Sequence, residues 1–94
     1  MRQIKLEYIV TLAKLLTKGA GREFIEATST SIATEINKSQ QAASKIILEL
    51  ENLNFIERVK KGHGFRIHVT DEGVMAVRDV SSMLMTAIDS SNSM

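Results

Sequence analysis

Between Ser39 and Lys45 the chain reads Ser-Gln-Gln-Ala-Ala-Ser-Lys, a run of side chains that can read a base pair. Glutamine pairs bidentately with adenine N6 and N7, serine exchanges hydrogen bonds with several base edges, and lysine reaches guanine or a phosphate. Small neighbours let the end of a helix sit close to the groove floor. Ser39, Gln40, Gln41, Ser44 and Lys45 are therefore the candidate base-reading residues. They also suit an ordinary solvated helix face, so what flanks them decides their meaning.

A second group is Arg58, Lys60, Lys61, His63 and Arg66, a stretch with no acidic residue between Arg58 and Arg66. Such a cluster fits phosphate contact along a DNA backbone or entry into the minor groove. The bland alternative is a turn kept soluble by its lysines. A third group, Thr28, Ser29 and Thr30, could hold one phosphate with hydroxyls and backbone N–H groups at a helix start. Simple helix capping accounts for these three almost as well.

Other chemistry finds little support. The chain has no cysteine, so it holds neither a disulfide nor a thiolate metal site. His63 and His68, the only histidines, make a poor metal pair. No serine has a histidine and a carboxylate at a recognisable spacing. Gly62-His63-Gly64 is too short for a nucleotide-binding loop and does not lead into a helix. The expectation is no enzyme, no cofactor and no metal.

Ninety-four residues with 44% apolar content describe one small folded domain. The formal net charge of +1 says little about partners, but its distribution says more. Cations gather around the Arg58 to Arg66 stretch, while Val69 to Met94 carries Asp71, Glu72, Asp79 and Asp89 against Arg78 alone. A basic patch on a nearly neutral protein is the footprint of nucleic-acid binding. No apolar run approaches a membrane span, and Met1 to Val10 is too charged for a secretory signal. A cytoplasmic protein with no membrane partner is expected.

The elements that must position these groups follow from periodicity. Ile4 to Thr17 places Ile4, Tyr8, Leu12, Leu15 and Leu16 on one helix face, ended by Gly19-Ala20-Gly21. Glu23 to Glu26 reads as a brief edge strand. Ser31 to Ile36 reads as a two-turn helix with Ile32, Ala33 and Ile36 inward, broken at Asn37-Lys38. Ser39 then caps a longer helix to Leu53, whose Ala43, Ile46, Ile47, Leu50 and Leu53 face the core, with Asn54 as a left-handed stop. Phe55 to Lys60 and Phe65 to Val69 are strands around the Lys61-Gly62-His63-Gly64 turn, with Phe65, Ile67 and Val69 inward and Arg66 and His68 outward.

Thr70 caps the last helix, with Asp71 and Glu72 in its first turn. Val74, Val77, Leu84 and Ile88 lie on one face, Val80, Met83 and Ala87 beside them, and Met75 and Met85 widen the apolar surface. This order, helix, strand, helix, helix, strand, strand, helix, predicts a mainly α fold with a small β-hairpin (α+β), a winged helix-turn-helix. The expected domain spans 1–88, with a polar tail over 89–94.

Gly19-Ala20, Phe24, Ser39-Gln40-Gln41-Ala42-Ala43-Ser44-Lys45-Ile46-Ile47, Leu50-Glu51, Phe55-Ile56 and Thr70-Asp71-Glu72-Gly73 together resemble the N-terminal winged-helix domain of archaeal CTP-dependent riboflavin kinases. The resemblance runs from Ile4 to Val80 and is most specific over Ser39 to Lys45. The wider helix and wing pattern is shared with the MarR-like group. The resemblance implies an archaeal regulator of transcription, since members of that family act on riboflavin genes. Their kinase is a separate C-terminal β-barrel with a glycine-rich nucleotide-binding segment, and nothing after Thr70 is similar to it. Riboflavin phosphorylation is therefore not expected of these residues, whether the chain stands alone or is a segment of a longer protein.

The expected function is sequence-specific binding of double-stranded DNA by a transcriptional regulator. Its recognition helix is 39–53 and its basic wing 58–66. The Met-rich final helix, with the first helix, is expected to form a homodimer. The alternative is a winged helix used for protein contact, or as the regulatory domain of a larger enzyme.

Overall fold

Helix α1, Leu6–Thr17, buries Tyr8, Leu12 and Leu15 as their spacing predicts, and also Ile9 and Thr11. Thr11 can be fully buried because its hydroxyl donates to the Glu7 carbonyl at 2.7 Å. The computed structural model describes residues 4–92. In it α1 begins at Leu6, after Lys5, which offers no side-chain cap. Ile4, placed by periodicity on the buried face, is 37% exposed. The helix closes with a Schellman arrangement, in which Ala20 N–H donates to the Leu15 carbonyl and Gly19 N–H to that of Leu16. Gly19 takes φ 98° there, a conformation that only glycine adopts cheaply.

Strand β1 is Ile25–Ala27, displaced toward the C-terminus from the predicted 23–26. Helix α2, Ser29–Ile36, starts earlier than predicted because Thr28, not a later hydroxyl, is its cap. Ser31 N–H donates to Thr28 Oγ1 at 2.9 Å and Thr28 N–H to Ser31 Oγ at 3.0 Å, a reciprocal capping box. Asn37 ends α2 with φ 56°, and Ser39 starts α3, Gln40–Asn52, by accepting from Ala42 N–H at 3.1 Å. Asn54 takes φ 63°, the left-handed stop expected of it.

Strands β2, Ile56–Lys61, and β3, Gly64–Val69, form the hairpin, and the sheet order is β1-β3-β2 with both pairs antiparallel. Lys61 pairs with Gly64, which reduces the connection to Gly62-His63. Gly62 has the positive φ (59°) of a tight hairpin turn. Gly64 has a different reason to be glycine, for a Cβ there would lie 2.6 Å from the Ala27 carbonyl oxygen of β1. The register puts Ile25, Ala27, Ile56, Phe65, Ile67 and Val69 on the helix side of the sheet. Arg58 and Lys60 share that side further along β2, while Glu26, Val59, Lys61 and Arg66 share the other.

The core joins Tyr8, Leu12 and Leu15 of α1, Ile32 and Ala33 of α2, Ala43, Ile46, Ile47 and Leu50 of α3, and the inward sheet residues. Helix α4, Asp71–Asn92, starts where Thr70 Oγ1 accepts from Gly73 N–H at 3.1 Å and donates to the Asn54 carbonyl at 2.6 Å. Val74 and Val77 pack on the core and Ala76 is buried. Leu84, Ala87 and Ile88, expected on the same side, lie outside the described side chains. The α4 backbone includes residues 89–92, which composition assigned to a polar tail.

Candidate nucleic-acid interface

Helix α3 divides its two faces as its sequence requires. Ala43, Ile46, Ile47 and Leu50 are buried, and this seats the helix against α2 and the sheet. Ser39, Gln40, Gln41, Ser44 and Lys45 are all exposed. Gln41, Ser44 and Lys45 recur at helical spacing, so they form one outward stripe. Leu48 continues that stripe by one turn and is 51% exposed. Sequence reasoning passed over it, although its place seven residues after Gln41 already separated it from the buried Ile47 and Leu50.

The start of α2 offers less free chemistry than its hydroxyls suggest. The Thr28 hydroxyl already accepts from Ser31 N–H, Ser31 Oγ donates to the Thr28 carbonyl at 2.9 Å, and Ser29 is half-buried. Thr30 remains exposed. The structure nonetheless brings this helix start to the wing, because Ser29 lines a cleft with Glu51, Arg58, Lys60, His63, Gly64 and Phe65.

Along the wing, tertiary structure redistributes the charge that looked unopposed in sequence. Arg58 lies on the helix side of the sheet, where its guanidinium donates to Glu51 of α3 at 2.9 Å and sits 5.1 Å from the centre of the Phe65 ring. Lys61 meets Glu26 of β1 at 2.8 Å, on the opposite side. The hydrogen bond from Lys61, then its charge and that of Arg66, hold the Glu26 carboxyl below its ordinary value. Arg66 stands between Glu26 and Val59 in the register. Lys60 and His63 are exposed at the wing tip. Two of the cations expected to meet phosphate, Arg58 and Lys61, are thus already ion-paired with carboxylates, and Arg66 stands beside one of them.

His68 lies on the outer side of the sheet with Arg66, as expected, but is half-buried there, stacked on Phe24 at 5.2 Å between ring centres, and its Nδ1 has no hydrogen-bond partner among the described residues. Between α1, β1 and α2 lies a partly enclosed cleft that no motif announced, lined by Thr11, Leu15, Ile25, Ile32 and Ile36 with Lys14, Lys18 and Glu35 at its edge. Lys18 and Glu35 pair there at 2.8 Å, and that hydrogen bond lowers the Glu35 carboxyl. Among the described residues, no group of three or more histidines or carboxylates could hold a metal ion, and no helix is long and apolar enough to cross a membrane.

No family model matches the chain. A riboflavin kinase of Picrophilus torridus is 32% identical over 84 residues, covering 84% of this chain but 38% of its own length. The chain thus spans well under half of that curated relative. Among solved structures, a mutant of MepR from Staphylococcus aureus superposes with a TM-score of 0.79 at 21% identity, covering 93% of this chain and 62% of that one. A MarR family protein from Bacillus stearothermophilus gives 0.78 at 16% identity, covering 98% and 61%. The fold is a winged helix of the MarR-like kind, and its sequence resembles the archaeal riboflavin kinase winged helix.

Proposed function

We propose that this winged helix binds double-stranded DNA in a sequence-specific way and regulates transcription. The observation that carries the proposal is the outward stripe of α3, where Gln40, Gln41, Ser44 and Lys45 stand exposed on a helix whose other face is locked into the core. Such a helix end enters the major groove with its polar residues toward base edges. The wing then reaches the backbone or minor groove, with Lys60, His63 and Arg66 as its readiest contacts. Lys61 must first exchange Glu26 for a phosphate, whereas Arg58 stays on Glu51. Thr30, and Ser29 through its backbone N–H, supply a minor contact at the start of α2, where the Thr28 N–H is already taken by Ser31 Oγ. MepR is described as a transcription regulator of a multidrug efflux pump, which agrees with this role for the shared fold.

The same proposal includes a homodimer. Leu6 and Val10 of α1 are 69% and 39% exposed, and Met75, Met83 and Met85 of α4 are 58%, 71% and 60% exposed. Large apolar side chains left outside the core on two neighbouring helices are what a self-complementary interface buries. Two copies would present two α3 helices to successive turns of one duplex.

A selection from random duplex DNA, with a size measurement on the free protein, tests both parts. Recovery of a two-fold symmetric motif by a dimer is the expected result. No affinity for any duplex at low salt overturns the proposal. A second reading, a regulatory domain beside a catalytic one, is favoured by one observation: the matched relative is a riboflavin kinase more than twice as long as the matched segment. In that case the α3 face or the wing would dock on protein, and charge reversal at Lys60 and Lys61 would release the partner without affecting DNA.

A further inference from the structure

Leu48 is a large aliphatic side chain on a surface helix, 51% exposed, and it is not part of the core cluster. Its position is not arbitrary. Gln41, Ser44, Lys45 and Leu48 follow the i, i+3, i+4, i+7 rule, so Leu48 stands two turns above Gln41 on the middle of the outward face. On a helix that only needs solubility, this is where a charged residue belongs.

We infer that Leu48 is a specificity-determining residue which contacts the 5-methyl group of thymine in the major groove, and that the reading face of α3 is three turns long. The inference rests on the DNA-binding role proposed above. Of the four bases only thymine presents a methyl group in that groove, and an aliphatic side chain recognises it by excluding water from both. Glu51, whose charge would keep the third turn away from phosphate, is engaged by Arg58 at 2.9 Å. Glu49, half-buried, is then the carboxylate nearest to Leu48 in sequence. Seven residues of helix rise about 10 Å, or about three base-pair steps. The thymine read by Leu48 therefore lies within about three base pairs of the base read by Gln41, and nearer as the helix is more inclined to the duplex axis.

The test uses the duplex selected from random DNA by the wild-type protein, with each thymine replaced singly by deoxyuridine, which removes only the methyl group. At one position wild type should lose about fourfold in affinity, the ratio that burial of one such group is worth. Leu48→Ala should bind thymine and uracil duplexes equally, at the wild-type affinity for uracil. Leu48→Gln should no longer select thymine at that position. If no single replacement affects wild type, or if Leu48→Ala keeps the same discrimination, the inference is wrong while DNA binding stands. Failure to bind any duplex would remove the DNA-binding role and this inference with it.

Discussion

Arg58 of β2 donates to Glu51 of α3 at 2.9 Å while its guanidinium lies 5.1 Å from the centre of the Phe65 ring. One side chain thereby ties the wing to the seated half of the recognition helix. Both partners are about one-third exposed or less, so water screens the pair only in part. Arg58→Ala should cost about 1–2 kcal/mol, since it removes the charged hydrogen bond and the ring contact together. Glu51→Gln, which keeps the packing, should cost less. Urea denaturation midpoints for the two variants check the order, and equal losses would mean that the ring contact contributes nothing.

Base reading and phosphate contact separate by residue. Gln41→Ala should flatten preference at one base pair by about 1–3 kcal/mol and leave non-specific binding unchanged. Lys60→Ala should weaken all sequences alike and reduce the salt dependence of binding by about one counterion. Titrations at several salt concentrations, on selected and scrambled duplexes, distinguish the two effects. Identical behaviour of the two variants would contradict this division of roles.

Glu26 gives a pH test. Its carboxyl is lowered first by the Lys61 hydrogen bond and then by the charges of Lys61 and Arg66. A lowered carboxyl stabilises the folded state fully above its ordinary value of 4.5, and that contribution vanishes as pH falls through the lowered value. Wild type should therefore melt slightly above Glu26→Gln at neutral pH, with the difference closing in acid. The same substitution frees Lys61 for phosphate. Glu26→Gln should bind DNA more tightly, with a salt slope steeper by about one. Unchanged affinity would show that Lys61 never leaves the sheet surface.

Self-association through α1 and α4 predicts that Leu6→Glu, at a position 69% exposed, leaves the monomer folded but separates the dimer. Burying one leucine at such an interface is worth about 1.5–3 kcal/mol, so dissociation should rise at least roughly tenfold. Sedimentation equilibrium reads the change. A wild-type protein that is monomeric at every concentration would rule out this interface.

Periodicity, caps and turn residues are local, and they specified the element order from the sequence alone. Tyr8, Leu12 and Leu15, or Phe65, Ile67 and Val69, show their inward face within a few residues, and Ser39, Thr70 and Asn54 mark ends through bonds to their own neighbours. The outward stripe of Gln41, Ser44 and Lys45 was legible for the same reason. Charge pairing was not, because Glu26 and Lys61, or Glu51 and Arg58, meet only after strands and helix have packed. A stretch free of carboxylates in sequence consequently lies beside two of them in space. The glycine requirement at Gly64 belongs to the tertiary structure too, because it depends on how close β1 comes, and no local pattern contains that distance.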